Sequence, residues 1–237
     1  MNSMLENYYS QYENSYLYNM DCMLALPNIA DKYFDLAIVD VPYGIGQDGS
    51  KNHLRITRKR PHFAGKFYRP FSDDTAPAKE YWQELFRVSK NQIIWGANHF
   101  ISKLPSQDSS CWIVWDKDNG QCDFADCELA WTSFKTAVRK FKFRWNGMLQ
   151  EDMKNKEIRI HPAQKPVKLY EWLLTKYARK GDRILDTHVG SGSSRIAACR
   201  LGFDYTGFEI DEHYCRLSTE RFLETIQSLL KSEEEKL

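Results

Sequence analysis

The chain has 237 residues, 42% of them hydrophobic, which is enough for one large domain with a substantial core. Lys and Arg number 33 against 32 Asp and Glu, so the net charge indicates no class of partner. The apolar runs are far shorter than the ~18 residues of a membrane span, and no targeting pattern is visible, which predicts a cytoplasmic protein. The 6 cysteines form no CxxC pair, so we expect reduced thiols and no metal site.

Apolar runs separated by turn residues predict strands that alternate with helices. The predicted strands cover residues 16–20, 35–39, 92–96, 111–115, 128–132, 140–145, 183–188 and 205–209. The predicted helices cover residues 77–89 and 166–177, and two more begin near Ser194 and after Asp211. Residues 1–15 are polar and are expected to be irregular. This alternation predicts one domain over residues 1–237, built on a largely parallel α/β sheet.

The segment Asp40-Val41-Pro42-Tyr43 directly follows a predicted buried strand, where ligands bind in open α/β sheets. The Asp40 carboxylate and the Val41 carbonyl, which Pro42 restricts, are two acceptors that suit the two N–H groups of an exocyclic amine. Such acceptors favour the tetrahedral nitrogen that attacks a methyl group. Tyr43 can stack on a base that has left the duplex. An ordinary turn at the end of a strand is the alternative.

A second motif lies between the predicted strand 183–188 and the helix after it. Gly190-Ser191-Gly192-Ser193 lets a ligand approach the backbone, and Glu209, about 20 residues further on, suits a ribose diol. Arg195 stands where the dinucleotide fingerprint has a small residue. The motif therefore favours a nucleoside cofactor without phosphates, S-adenosylmethionine (AdoMet) above all, over a nicotinamide dinucleotide.

Two segments concentrate positive charge. Residues 51–69 contain no acid, and residues 140–145 alternate cations with aromatic side chains. A block of like charge beside a site at the ends of strands favours contact with a phosphate backbone. A solvated loop and an edge strand with one wet face are the alternatives. The cations predicted to bind DNA are Lys51, Arg55, Arg58, Lys59, Arg60, Lys140, Lys142 and Arg144.

Three ordered segments resemble the motifs of amino-group DNA methyltransferases. Asp40-Val41-Pro42-Tyr43 resembles their D-P-P-Y motif, and residues 186–193 resemble their AdoMet loop. Residues 161–166, His-Pro-Ala-Gln-Lys-Pro, resemble their H-P-T-Q-K-P segment, and residues 116–120 and 128–131 also resemble phage and bacterial members. The catalytic motif precedes the cofactor motif, as in the β group of the family. The resemblance covers about residues 16–215.

The resemblance implies a Rossmann-like AdoMet-dependent fold with helices on both faces and a circularly permuted motif order. It implies methylation of adenine N6 in double-stranded DNA with a flipped base, read by inserted segments near residues 47–74 and 132–160. It places Asp21 at the cofactor adenine, Glu209 at the ribose, and Lys165 with the glycine loop at the methionine end. The cofactor-binding residues it implies are Asp21, Cys22, Lys165, Asp186, Thr187, His188, Gly190, Ser191, Gly192, Ser193 and Glu209.

Two departures from the family pattern keep alternatives open. Val41 replaces the first proline of D-P-P-Y, and Thr187-His188 replace the more widespread Pro-Phe. The alternatives are a catalytically weakened DNA-binding homologue, a cytosine-N4 methyltransferase, and an enzyme that methylates RNA or protein glutamine. Asp rather than Ser at position 40 favours adenine. A homodimer, a cognate restriction nuclease and a bacterial or phage origin also fit the resemblance.

Overall fold

The computed structural model describes residues 8–46, 68–120, 125–146 and 149–234. The cations Lys51, Arg55, Arg58, Lys59 and Arg60 lie outside these residues. The strands are β1 Ser10–Tyr12, β2 Ser15–Asn19, β3 Phe34–Val39, β4 Ser89–Trp95, β5 Ile113–Asp116, β6 Cys127–Thr132, β7 Arg139–Lys142, β8 Trp145–Asn146, β9 Leu149–Gln150, β10 Arg183–Asp186 and β11 Asp204–Glu209. The α-helices are α1 Cys22–Ala25, α2 Lys79–Val88, α3 Val167–Tyr177, α4 Ser193–Arg200 and α5 Glu212–Glu234.

The main sheet has the strand order β1-β2-β11-β10-β3-β4-β6-β5-β7, and β8 pairs separately with β9. Its centre, from β2 to β4, is parallel throughout. Strand β6 runs antiparallel to both of its neighbours, β4 and β5. The predicted largely parallel α/β sheet is therefore confirmed, and antiparallel pairing is confined to its two flanks.

The chain reverses its direction of travel across the sheet between β10 and β3. Strand β10 continues through α4 to β11 on one side, whereas β3 continues through α2 to β4 on the other. Strands β10 and β3 are parallel neighbours, with Leu185 opposite Ala37, so their carboxyl ends lie side by side. Open α/β sheets bind ligands at such a switch point. The two predicted motifs follow these two strands.

Helices cover both faces of the sheet. Helices α3, α4 and α5 contribute to one buried cluster, and α1 and α2 contribute to the other. Strand β3 supplies both, because Leu36 and Ile38 face the first cluster while Ala37 and Val39 face the second. A strand buried on both sides reads as a continuous apolar run, which explains why β3 could be predicted from the sequence. None of the described helices is long and apolar enough to cross a bilayer.

The polar N-terminal segment contains a strand that its sequence did not predict. Strand β1 pairs with β2, and the buried guanidinium of Arg195 donates to Ser10 and to Ser15. The same guanidinium lies 4.2 Å from the centre of the Phe222 ring. Charge-assisted hydrogen bonds of a buried guanidinium, together with the packing of Tyr12 against Phe222, hold this edge of the sheet.

The prediction of one strand over residues 140–145 is wrong. Strand β7 ends at Lys142, and Trp145 belongs to the β8–β9 hairpin. The indole N–H of Trp145 donates to the carbonyl of Gln164 at 2.9 Å in a buried hydrogen bond. Phe141 and Phe143 still pack against the core while Lys140 stays exposed, so the predicted separation of aromatic and charged side chains holds.

Candidate active site

The loop that follows β3 is held by one buried carboxylate. The backbone N–H groups of Tyr43 and Gly44 donate to Oδ1 of Asp73 at 2.6 and 3.0 Å, and Gly46 N donates to the Asp73 carbonyl. Gly44 has a φ of +73°, and a Cβ there would lie 2.6 Å from the backbone nitrogen of Ala76. Only glycine fits this close approach, so Gly44 and the Asp73 carboxylate together hold the loop that follows Asp40.

Tyr43 contacts Asp40 directly. Its hydroxyl donates to Oδ1 of Asp40 at 2.8 Å, and its ring stacks on that of His99 with centroids 5.3 Å apart and planes 19° apart. The side chain of Asp40 is mostly buried, with 17% of its surface exposed. Ring and hydroxyl together fix this carboxylate at the carboxyl end of β3.

A chain of alternating charges begins at Asp40. The Lys165 ammonium lies 2.6 Å from Oδ2 of Asp40 and 3.0 Å from Oε2 of Glu128. The other oxygen of Glu128 lies 2.6 Å from the ammonium of Lys117. Only 4% of the Lys165 side chain is exposed. The family resemblance places Lys165 at the methionine end of a cofactor, and its ammonium here lies between two carboxylates.

These contacts shift the pKa values of the charged groups. Burial raises the pKa of Asp40, and the neighbouring Lys165 ammonium offsets only part of that effect. Burial acts in the same direction on Glu128, but Lys165 and Lys117 outweigh it and lower the pKa of Glu128 to about 2. Burial would lower the pKa of Lys165, yet Asp40 and Glu128 outweigh it and raise that pKa. Each buried charge is thus balanced by a partner, as desolvated ions require.

The glycine loop after β10 is held from the end of β11. Gly190 and Gly192 have φ angles of +53° and +76°, which favour glycine. The N–H of Gly190 donates to Oε2 of Glu209 at 2.8 Å, and the N–H of Asp211 donates to Oε1 at 2.9 Å. Burial raises the pKa of Glu209. The predicted acid and the predicted loop are therefore in direct contact.

Asp186 faces the loop and the helix that follows it. The hydroxyl of Ser194 donates to Oδ2 of Asp186 at 2.5 Å, and the N–H of His188 donates to Oδ1 at 3.0 Å. Burial raises the pKa of Asp186 to about 7. The hydroxyl of Thr187 lies 2.6 Å from that of Tyr81 and 2.9 Å from Nδ1 of His188. These hydrogen bonds connect the start of the glycine loop with β10, α2 and α4.

A second brace connects α5 with the glycine loop and with the start of α3. Arg221 donates to the Ser191 carbonyl at 2.7 Å and to the Ser193 hydroxyl at 3.0 Å. It also donates to Glu157 at 2.6 Å, and the other oxygen of Glu157 accepts from the N–H of Val167. Neither Arg221 nor Glu157 was predicted, because each is an isolated charged residue far from the motif that it supports.

The two loops open into one cleft of about 1720 Å³. A pocket for one drug-sized ligand spans roughly 300–1,000 Å³, so the cleft has room for a nucleoside and a base together. The predicted site residues that line it are Asp40, Val41, Pro42, Tyr43, Lys165, His188, Gly190, Ser191 and Glu209. Those that do not line it are Asp21, Cys22, Asp186, Thr187, Gly192 and Ser193. Asp21 caps α1 by accepting from the N–H of Met23 at 2.9 Å.

The predicted cations of the 140–145 segment lie at the edge of the sheet and contact carboxylates there. Lys140 lies 3.3 Å from Asp116, and Lys142 and Arg144 lie 2.9 and 2.8 Å from Asp118. None of the three lines the cleft. Among the described residues, the cations that line the cleft apart from Lys117 and Lys165 are Arg69, Lys156, Arg159 and Arg216.

Sequence reasoning also missed Glu128 and Asp73. Glu128 is an acid near the start of the apolar run of β6, and it opens the 128–131 segment that resembles phage and bacterial members of the family. Asp73 lies 30 residues from the backbone N–H of Tyr43 that it binds. Neither contact can be read from spacing, because the sheet and the following loop bring the groups together.

The chain is similar to known DNA methyltransferases. A family model described as DNA methylase, for the N6 and N4 type, matches residues 128–220. The type II methyltransferase M.HpaI of Haemophilus parainfluenzae is 26% identical, over 83% of this chain and 70% of its own length. The crystal structure of the M1.HpyAVI–SAM complex matches with a TM-score of 0.53 at 20% identity, over 86% of this chain and 98% of that one. PvuII DNA methyltransferase, which is cytosine-N4-specific, matches with a TM-score of 0.58 at 13% identity, over 91% and 90%.

The fold, with two motif loops that meet at the switch point of the sheet, is that of the Rossmann-like methyltransferases, as predicted. Within that class, residues 128–220 match the DNA methylase family model, and the chain is similar to a type II DNA methyltransferase. The family resemblance of the three sequence motifs is confirmed.

Proposed function

We propose that this enzyme transfers a methyl group from AdoMet to N6 of adenine in double-stranded DNA, with the target base flipped into the cleft. The observation that carries the proposal is the position of Asp40, fixed by Tyr43 and Lys165 at the carboxyl end of β3, beside the glycine loop of β10. A carboxylate at this place suits an amine acceptor, and an aspartate is the residue that favours adenine over cytosine by family resemblance.

The chain's own residues account for the substrate side of the reaction. The Asp40 carboxylate has further acceptor sites besides those that Tyr43 and Lys165 occupy, because an ionised carboxylate offers about four. An amine that donates to Asp40 and to the Val41 carbonyl is drawn towards tetrahedral geometry. As the nitrogen gains its methyl group it must lose a proton, and Asp40 is the nearest base that we infer for it.

The residues of the cleft also fit AdoMet. Glu209 offers carboxylate oxygens for a ribose diol, and Gly190 and Ser191 offer a side of the cleft where a ligand can approach the backbone. Asp21 follows β2 at the same end of the sheet, in reach of the adenine end of a cofactor by resemblance. When bound, AdoMet supplies an activated methyl group on a sulfonium. Holding the cofactor is the proposed role of the glycine loop and Glu209.

We propose that DNA lies across the mouth of the cleft and is read by segments inserted in a single catalytic domain. The segments are residues 47–74 and 132–160, as the resemblance implies. Support comes from the second one, where Lys156 and Arg159 line the cleft and Ile158 is 70% exposed. Cations position a phosphate backbone, while an exposed apolar side chain can contact bases.

The direct test is methylation of mixed-sequence DNA with AdoMet, followed by digestion and mass spectrometry of the nucleosides. We expect N6-methyladenine from the wild type and none from Asp40→Ala, which should still bind DNA. N4-methylcytosine would favour the specificity printed for PvuII methyltransferase instead. A wild-type protein that binds a specific site without methylating it would identify a weakened homologue. Label on RNA or protein alone would reject the proposal.

Three further expectations concern the protein's setting: a homodimer, a cognate restriction nuclease, and a bacterial or phage cytoplasm. They stay predictions. Light scattering at several concentrations tests the dimer. Long-read sequencing of DNA from a host expressing the chain gives the modified site. A nuclease is cognate if it digests DNA at this site and if prior methylation by this enzyme blocks the digestion.

A further inference from the structure

We propose that Lys165 and Glu128 are positioning residues: Lys165 holds the Asp40 carboxylate in place and in its charged form, and Glu128 holds the Lys165 ammonium. The inference rests on the proposed amine methylation, because that chemistry needs Asp40 to accept hydrogen bonds. A protonated carboxyl group would donate one of them instead. A buried carboxylate beside a base would tend to be neutral unless a cation were fixed next to it.

The geometry fits this role. The Lys165 ammonium touches Oδ2 of Asp40 at 2.6 Å and lies 3.3 Å from the hydroxyl of Tyr43. It also lies 5.4 Å from the centre of the Trp95 ring and 5.8 Å from that of Tyr43, within the range of cation–π contacts. A buried ammonium with these neighbours has little freedom to move. The Lys165 ammonium therefore orients the Asp40 carboxylate and also stabilises its charged form.

Glu128 holds the lysine from the opposite side. Its carboxylate lies between the ammonium groups of Lys165 and Lys117, at 3.0 and 2.6 Å. Without Glu128, Lys165 would be a buried cation with a single counter-ion. The strand β6 that carries Glu128 therefore sets how far the Lys165 ammonium reaches towards Asp40.

Every element packed around Asp40 contributes to its charge state. Tyr43 donates from the same loop, Lys165 precedes α3, and Glu128 comes from β6. Tyr170 on α3 and Asp186 at the end of β10 also interact electrostatically with Asp40. Lys165 is the cation among these groups and Glu128 is an additional anion. The two residues should therefore shift the Asp40 titration in opposite directions.

The test is the titration of the Asp40 carboxyl carbon, followed by NMR in ¹³C-labelled protein and assigned with Asp40→Asn. Lys165→Met should raise the Asp40 midpoint by roughly 1 to 3 pH units, the range expected when a neighbouring opposite charge is lost. Glu128→Gln should lower the midpoint by a smaller amount, because it removes a more distant anion. Lys168→Met removes an exposed lysine of α3 and should leave the midpoint unchanged.

The acid limb of the kcat–pH profile should move in the same two directions, and Lys165→Arg, which keeps the charge, should restore it towards the wild-type position. A residue that only supported the fold would lower activity without opposite shifts of the profile. If Lys165→Met does not fold, the double variant Lys165→Met/Glu128→Gln removes both charges. Its Asp40 midpoint should exceed that of Glu128→Gln alone.

Midpoints that do not move, or that move in the same direction in both variants, would overturn this inference. The NMR titration uses the free protein and needs no turnover. A wild type that methylates no adenine would thus reject the proposed function by itself. A wild type that methylates adenine while the midpoints stay in place would reject only the positioning role.

Discussion

The ring of Tyr43 lies so close to Gly96 that a Cβ at position 96 would stand 2.1 Å from Cε1 of the ring. Gly96 follows β4 and has a φ of +69°, so both its conformation and the space above it favour glycine. Strand β4 pairs with β3, and Asp40 is the residue that follows β3. The neighbouring strand thus provides the surface on which the Tyr43 ring rests.

Gly96→Ala should displace the Tyr43 ring and with it the hydrogen bond to Asp40. Misplacement by about 1 Å can cost on the order of 100-fold in rate, and we expect a loss of that size in methyl transfer. Gly202→Ala is the matched control, because Gly202 has a φ of +72° and no atom within 4 Å of its Cβ position. It should lose about 1 kcal/mol of stability and keep its rate. Equal rates in the two variants would contradict the proposed packing role.

Glu209→Gln should weaken AdoMet binding. A hydrogen bond to a charged group contributes about 1.5–3 kcal/mol, so we expect a roughly 10- to 150-fold increase in Kd by calorimetry. Glu212→Gln makes the same charge change on an exposed residue that also lines the cleft, and it should have little effect. Similar losses in both variants would indicate that overall charge, rather than a ribose contact, determines the affinity.

The protein should lose stability on mild acidification because of His161. Burial between the rings of Phe71 and Tyr214, with Lys165 nearby, lowers the pKa of His161 to about 3. An unfolded histidine titrates near pH 6.5, so between these two pH values the unfolded state binds more protons than the folded state. The free energy of unfolding therefore decreases as the pH is lowered through this range. The loss should reach about 2 kcal/mol by about pH 5.

Urea unfolding at about pH 7.5 and about pH 5 measures this effect. His161→Phe keeps a ring but cannot be protonated, so the difference between the two conditions should shrink by about 2 kcal/mol. His188, whose pKa burial lowers to about 4, should continue to contribute in that variant. The same pH dependence in wild type and His161→Phe would show that His161 is not the group responsible.

Lys156 should contribute more to DNA binding than Lys142 does. Lys156 is exposed at the mouth of the cleft and forms no ion pair with another residue that the structure describes, whereas Lys142 is paired with Asp118. Lys156→Ala should weaken binding of all sequences alike and reduce the slope of log K against log salt by about 1. Lys142→Ala should change the slope less. The reverse order would place the DNA backbone along β7.

The sequence predicted what depends on neighbouring residues in the chain. The apolar run of β3 and the shorter apolar stretches of β4, β10 and β11 identified the parallel centre of the sheet, because strands buried on both faces are rich in hydrophobic residues. Turn residues identified the Asp40 and Gly190 loops, because a turn is also specified by consecutive residues. Strand β1 was missed because it is only three residues long with one aromatic side chain, and the Arg195 guanidinium that binds it lies far along the chain.

The amino-acid sequence by itself determined the α/β class, the two motifs and their order, since each is written in consecutive residues. Only the tertiary structure decided that the Lys165 ammonium contacts the carboxylate of Asp40 and that of Glu128. Asp40 and Lys165 are 125 positions apart and meet there because strand order and strand direction set which strand ends share an edge of the sheet. A charge buried at that edge stabilises the site only where the fold supplies its counter-charge, and no spacing in the sequence specifies this.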